Sequence, residues 1–266
     1  MQLATGNSML NFGYWKNPAA GPQEAQNNLC ELIGKTASLE SARLVLDVGS
    51  GFSAPAFYWK SQYEKINITC INTNFQQLLF ATKINKNNIS GQIAKTPLLT
   101  EIRFANATST SLPLSDNSVD RIIALESAQH FKPVDQFIRE SKRVLAKNGL
   151  FVIALPVINE TRVKSSLFMK LGILSLTWAS EHYRLDYIKS ALINGGFKIN
   201  EFQHIGTDVY APLAEHYVNN RKQIREKILK SYPSYLENIL HKSMLKMKEV
   251  SQSGIIDYAI IKCTPE

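Results

Sequence analysis

Cysteine is scarce: Cys30, Cys70 and Cys263 are the only three in 266 residues. Odd in number and far apart, they supply neither a disulfide framework nor the ligand spacing of a zinc site. The expectation is a reducing, cytoplasmic setting and no metal. Long apolar runs are missing as well. The most apolar later stretch, Leu167 to Trp178, is interrupted by Lys170 and falls short of a membrane span, and the first residues lack the basic-then-apolar pattern of a secretion signal. Motifs that interleave aromatic and basic residues are also absent, so nucleic acid is not an expected partner despite a net charge of +8. The excess charge reads as a solvated basic face, with anionic ligands or a negatively charged membrane surface as the alternatives.

The chain does have the composition of a soluble globular protein, 44% hydrophobic and 20% charged. Its length allows one sizeable α/β domain with an appendage.

The stretch from Arg43 to Pro55 organises the rest. A short apolar run, Leu44 to Leu46, ends in Asp47 and then Gly49-Ser50-Gly51, as a buried parallel strand does when it turns sharply into a helix. Glycine permits backbone conformations closed to other residues and lets a ligand lie against the main chain. Pro55 suits the first turn of the following helix. Two ligand classes use such a turn. Dinucleotides want Gly-x-Gly-x-x-Gly/Ala and an acid about 20 positions on; Gly49 to Ala54 meets the first condition, but Asn72 stands where the acid belongs. A carboxylate at Asp47 suits a ligand with a cationic end, such as the amino acid part of S-adenosylmethionine.

Taken in order, the N-terminal segment carries an aromatic cluster, Phe12-Gly13-Tyr14-Trp15, which either plugs the tail onto the body or covers a ligand and excludes water. Pro22 opens a helix through Ile33, stopped by Gly34. Further strands are expected at Ile66–Ile71, 102–104, Arg121–Leu125 and Leu150–Leu155, the last broken by Pro156, with helices between them. Thr73 or Asn74 caps the helix after the second strand. This alternation gives an open parallel sheet with helices on both faces, and ligands in such sheets sit beyond the carboxyl ends of the strands. The polar run Glu126-Ser127-Ala128-Gln129-His130 lies at one such end. Later, an apolar helix is expected at 167–176, a strand over Phe197–Ile205 and a last strand over Gly254–Lys262. Two basic amphipathic helices, about Leu213–Lys230 and Ser234–Lys248, lie between those strands, with an apolar stripe at Leu236, Ile239, Leu240, Met244 and Met247.

On these motifs the chain resembles the class I S-adenosylmethionine-dependent methyltransferases, over roughly residues 11–205. It is similar in particular to the small-molecule group holding the rebeccamycin sugar O-methyltransferase and the tocopherol and sterol methyltransferases. The resemblance rests on Phe12 to Trp15, Leu46 to Gly51, Asn72 to Gln77, Leu112 to Leu114 with Asp116 to Asp120, Ala124 to Phe131, and Arg139 through Gly149. It implies a Rossmann-like, doubly wound, mostly parallel seven-stranded sheet with a helical cap near the C-terminus. The parts would be an N-terminal lid and helix (1–40), a cofactor-binding core (41–210), a helical insertion over the substrate (211–250) and the last strand (251–266).

The resemblance also implies S-adenosylmethionine as cofactor, with S-adenosylhomocysteine as product. Asp47, Gly49, Ser50 and Gly51 would hold the methionine part, and Tyr14 and Trp15 would close over it. Asn72, Thr73 and Gln77 fall near the ribose, Ala107 and Thr108 near the adenine, and Glu126 beside the cofactor. Thr108 departs from the usual acid, and Ser53 replaces the usual third glycine.

Methyl transfer is in-line displacement at an activated carbon, so alignment and water exclusion are the protein's main contributions. An alcohol acceptor also profits from a base. His130, just past the fourth strand, is the candidate, with Glu126 as its helper; an imidazole with an ordinary pKa of about 6.5 suits the role. Both residues can equally be structural polar groups. His182 with Tyr183 is a second candidate pair, whereas His204, His216 and His241 show no partnering in the sequence. The expected activity is methylation of a small-molecule hydroxyl on a secondary metabolite or glycoside. The rivals are carbon methylation of an isoprenoid lipid, an NAD-binding oxidoreductase and a non-catalytic module. The expected partners are a small-molecule acceptor and, through the basic helices, a membrane surface, with the protein a monomer or homodimer.

Overall fold

A computed structural model of the protein describes residues 9–15, 21–91, 102–159, 171–177 and 183–266. The chain divides into two compact units. One comprises Cys30–Leu155, Ile188–Phe202 and Ile260–Glu266 and holds most of the sheet; the other comprises Met1–Leu29, Pro156–Tyr187 and Gln203–Ala259 and is mainly helical.

Helix α1 (Pro22–Thr36) contributes to both units and precedes β1 (Leu44–Val48), α2 (Ala54–Gln62), β2 (Asn67–Asn72), α3 (Phe75–Gly91), β3 (Ile102–Asn106) and β4 (Val119–Leu125). Then come α4 (Val134–Val144), β5 (Leu145–Ile158), the short α5 (Leu174–Thr177), α6 (Leu185–Asn194) and β6 (Phe197–His204). Helices α7 (Gly206–Asn219), α8 (Arg221–Leu229) and α9 (Ser234–Gln252) precede β7 (Ile256–Pro265). The seven strands form one sheet in the order β3-β2-β1-β4-β5-β7-β6, and β1 pairs in parallel with both β2 and β4. The parallel pairs β2/β3 and β4/β5 continue that register outward. Strand order reverses between β1 and β4, so this is the switch point where the crossovers leave a crevice at the carboxyl ends. The seven-stranded, mostly parallel sheet with flanking helices is the fold expected from the sequence.

Charged side chains fasten the strand starts. Asp120 accepts hydrogen bonds from the backbone N–H groups of Arg43 and Leu44, and Arg121 donates to the Ala37 carbonyl and the Ser41 hydroxyl. Arg143 donates to the carbonyls of Leu112 and Leu114 and pairs with Asp116 and Glu140. Glu140, held below the usual carboxylate range chiefly by that guanidinium, also accepts the Leu112 N–H. The loop before β4 is thereby clamped to α4. All three cysteines are buried in the sheet unit; burial pushes the Cys70 thiol well above its ordinary value and the Cys263 thiol up to about 12.

Several boundaries differ from expectation. Helix α1 does not stop at Gly34 but runs on to Thr36. A β-carbon at Gly34 would lie 3.2 Å from the Tyr63 ring and 3.4 Å from Trp59, so the glycine is there for packing rather than for termination. Strand β5 begins directly after α4 and continues through Pro156, beyond the last β4 partner at Ala154, where no ladder donor toward β4 is needed. The expected helix over 167–176 lies largely outside the described residues. The first basic helix starts earlier than Leu213, at Gly206, and is split at Asn220 into α7 and α8.

In the helical unit, Tyr217, Ile224 and Ile228 form an apolar cluster on which Leu240 and Met244 pack. Met247 is also buried, but Leu236 and Ile239 are exposed, so the stripe on α9 is only partly covered. Glu237 sits inside, its side chain 0% exposed, accepting from the Tyr217 hydroxyl (2.8 Å), Arg221 Nε (2.9 Å) and Arg225 Nε (3.3 Å). The Arg221 guanidinium, seconded by Tyr217 and Arg225, holds the Glu237 carboxyl down to about 2. A depressed acid contributes stability that is present above its ordinary value, 4.5, and lost as pH falls toward 2. Because both arginines are partly exposed, this is on the order of 2 kcal/mol. Thermal melts followed by circular dichroism should show that loss between about pH 4.5 and 2 in the native chain; in Glu237→Gln the midpoint should be lower at neutral pH and the acid slope flatter.

Candidate active site

Asp47 is the fourth residue of β1 and is 3% exposed, opposite Cys70 on β2 and Ile123 on β4. Its Oδ2 is buried and finds no hydrogen-bond partner. Burial alone raises the carboxyl from 3.8 to about 7. Leaving a buried polar atom unpaired costs free energy, so its persistence beside a turn points to a partner from outside the chain.

The turn that follows is built from left-handed residues: Gly49 at φ 77°, Gly51 at 56° and Ser53 at 57°. The backbone N–H groups of Gly49 and Ser50 both donate to the Ile71 carbonyl, and the Ser53 hydroxyl donates to that of Ser50. Ser127 Oγ donates to the Val48 carbonyl at 2.6 Å. A β-carbon on Gly49 would fall 2.4 Å from that of Ser127, so glycine is obligatory at this position. Ser127 was not singled out in the sequence; only its place in a polar strand-end run pointed to it.

At the end of β2, Asn72 donates its amide to the Gly51 carbonyl (3.2 Å) and to Gln77 Oε1 (2.8 Å). Its two donors are thus committed within the protein. What the pair offers a ligand is the Asn72 oxygen, which otherwise takes only a long 3.4 Å contact from the Asn74 N–H, and the Gln77 amide N–H. Asn74 rather than Thr73 caps α3, accepting from the N–H groups of Gln76 and Gln77. Asn106, at the end of β3, holds this corner by donating to the carbonyls of Asn72 and Thr73. Beyond it Ala107 is half-buried and Thr108 exposed, the Thr108 hydroxyl paired with that of Thr110 at 2.9 Å.

Past β4, Glu126 adopts φ 49°, a strained left-handed conformation for a residue with a side chain, while its N–H still donates to the Ala154 carbonyl. The Gln129 amide donates to the Glu126 carbonyl at 2.8 Å and holds the kink. Gln129 is 5% exposed and its Oε1 is unpartnered, a second buried orphan that the sequence reading did not assign. His130 ends a short 3₁₀ turn, Ala128–His130, and is exposed.

The parallel register therefore brings Asp47, the glycine turn, Asn72, Gln77, Ala107, Thr108, Glu126 and His130 to one edge of the sheet unit. Tyr14 and Trp15 belong to the helical unit. There the Tyr14 N–H donates to the Ala25 carbonyl, the Trp15 N–H to the Asp208 carbonyl, and the Trp15 ring lies 5.2 Å from that of His216. Residue His182 lies outside the described residues. Among the described residues no cluster of metal-ligating side chains occurs.

The family model for the methyltransferase domain matches residues 46–153, which run from the residue before Asp47 into β5. These residues form a methyltransferase domain. The chain is 27% identical over 153 residues to the erythromycin 3''-O-methyltransferase of Saccharopolyspora erythraea, covering 57% of this chain and 47% of that protein. It is 26% identical over 198 residues to methyltransferase GfsG of Streptomyces halstedii, covering 74% and 68%. Among solved structures, mycolic acid cyclopropane synthase CmaA1, complexed with SAH and CTAB, superposes with a TM-score of 0.80 at 17% identity over 96% of this chain and 90% of that one. At that identity the likeness shows the fold alone, and the chain spans about half the length of the first of these relatives.

The residues of the methyltransferase domain fit a ligand with a cationic end and ribose-like hydroxyls. Asp47 offers an unpaired carboxylate oxygen, the glycine turn offers bare backbone, and Asn72 with Gln77 offers an acceptor and a donor. Cation binding draws on the ionised form of Asp47. Affinity for such a ligand should therefore fall about tenfold per pH unit below about 7, and titration calorimetry in buffers of different ionisation enthalpy should show proton release. Without ligand the sign is opposite. An acid raised from 3.8 to about 7 leaves the fold progressively less stable as pH rises between those values, by up to about 4 kcal/mol. Asp47→Asn should flatten that dependence in thermal melts and abolish the pH-linked ligand binding.

Proposed function

We propose that this chain is an S-adenosylmethionine-dependent methyltransferase that methylates a hydroxyl of a small molecule, such as a secondary metabolite or glycoside. The observation that carries the reading is the buried, unpartnered Asp47 carboxylate beside a left-handed glycine turn inside a methyltransferase domain. S-adenosylmethionine, when bound, supplies a methyl carbon already activated by its sulfonium. Asp47 would hold the cationic amino acid end, the Gly49-Ser50-Gly51 backbone would lie against it, and Asn72 and Gln77 would take the ribose hydroxyls. Thr73, Ala107, Thr108 and Glu126 would complete the rim. With no acid at Thr108, adenine would be held by an uncharged hydroxyl, a weaker acceptor.

His130 supports the hydroxyl reading. It stands exposed just past β4 on the same edge, and its imidazole can take the proton that an alcohol must lose as the oxygen is methylated. The similarity to a relative named as an O-methyltransferase agrees with this. The competing reading, methylation of carbon on an isoprenoid or other lipid, draws on the exposed apolar and basic surface of α8 and α9.

Titration with S-adenosylmethionine, S-adenosylhomocysteine and NAD separates the cofactor classes; binding of NAD alone would overturn the proposal. Incubating the protein and a metabolite extract with methyl-labelled cofactor, followed by mass spectrometry, identifies the acceptor and its methylated atom. His130→Ala should lower turnover about 100-fold or more with cofactor affinity unchanged; undiminished turnover would remove His130 from the role of base.

A further inference from the structure

The tip formed by the end of α8, the turn after it and the start of α9 gathers more exposed large hydrophobic side chains than any other stretch of comparable length among the described residues. Leu229, Tyr232, Tyr235, Leu236 and Ile239 fall within eleven residues, and all are more than a third exposed, Tyr232 at 48% and Tyr235 at 60%. These side chains are not left over from poor packing. The hairpin already buries a different row, Ile224 and Ile228 on α8 against Leu240 and Met244 on α9. Glu237 then pins the tip through Tyr217, Arg221 and Arg225. On α9, Tyr235, Ile239 and Lys242 recur at i, i+4 and i+7 and so share one outward face, with Leu236 beside it. On α8, Lys222 and Leu229 stand seven apart in the same way.

The charge around this apolar row is of one sign. Between Arg221 and Lys242 there are six basic residues and two acidic ones, a net of +4. Of the acids, Glu237 is buried and consumed by Arg221 and Arg225. That leaves Lys222, Lys227, Lys230 and Lys242 exposed around the tip, with Glu226 the one exposed acid. Tyrosine, leucine and isoleucine beside long lysine stems suit a bilayer interface, where apolar groups enter the acyl boundary and ammonium groups reach the phosphates.

We propose that the α8–α9 tip is a reversible docking surface for bilayers containing anionic phospholipid. Leu229, Tyr232, Tyr235, Leu236 and Ile239 enter the interface, and Lys222, Lys227, Lys230 and Lys242 meet the headgroups. The surface is small and no helix of the described residues is long and apolar enough to cross a membrane, so attachment is peripheral and salt-sensitive. The inference does not depend on methyl transfer.

The test is co-sedimentation of the full chain with vesicles of phosphatidylcholine alone and with about 30% phosphatidylglycerol. Partitioning onto the anionic vesicles should be at least about tenfold stronger and should be lost in high salt. Tyr232→Ser/Tyr235→Ser/Ile239→Ser and, separately, Lys227→Glu/Lys230→Glu should each weaken it about tenfold or more. Both variants change exposed side chains, and circular dichroism checks that each remains folded. Equal partitioning onto both vesicle types, or variants that bind like the native chain, would overturn the proposal. So would a concentration-dependent dimer in sedimentation velocity that the serine variant abolishes while vesicles are ignored, since a second copy would then be the occupant.

Discussion

A carboxylate buried in the middle of a parallel sheet with no counter-charge is the constraint on which the sheet unit depends. Asp47 stands on β1, with β2 on one side and β4 on the other, and its buried Oδ2 has no partner. Water cannot solvate it and the protein does not neutralise it, so the group is held near neutrality by burial. The cost is offset by the burial of the apolar neighbours on the same and adjacent strands, Val45, Leu46, Ile122 and Ile123 among them. The left-handed turn beginning at Gly49 follows this group directly, and the kink at Glu126 ends the neighbouring strand, so strain and unmet polarity meet at the carboxyl end of the sheet.

Glu237 shows the opposite treatment of the same functional group. It is just as inaccessible, yet two guanidinium groups and a phenol satisfy it, and its proton affinity moves down instead of up. One buried acid builds the fold, and the other is kept available. The distinction lies in what surrounds each acid in space, which no single position in the sequence records.

That contrast also marks how far the sequence could be read. The alternating strands and helices from Leu44 to Leu155 were legible because each apolar run is short and ends in turn residues, and the strand-end clusters followed from the parallel topology. Gly34 was misread as a stop because its role is steric: it lets the Trp59 and Tyr63 rings approach α1. Pro156 was misread as a break because the ladder with β4 ends at Ala154. The first of the two expected basic helices is itself two because Asn220 bonds back to the His216 carbonyl and opens a new helix. In the site, Asp47, Asn72 and Gln77 were visible as residue types, but not that Asn72 spends both its donors within the protein. Ser127 and Gln129 were hidden for the same reason, since their importance is a distance to Gly49 and an unpaired oxygen.

The three thiols carry a consequence for following the opening of the sheet unit in time. Cys30, Cys70 and Cys263 all belong to it, and at neutral pH the thiolate is suppressed at Cys70 and Cys263 while they remain enclosed. An alkylating reagent can reach Cys70 and Cys263 only when the strands part and Cys30 only when α1 lifts from the core, and the helical unit contributes no competing sulfhydryl. The rate of alkylation is thus an internal clock for excursions of one half of the chain, silent toward the other, and any molecule that settles against Asp47 should slow it.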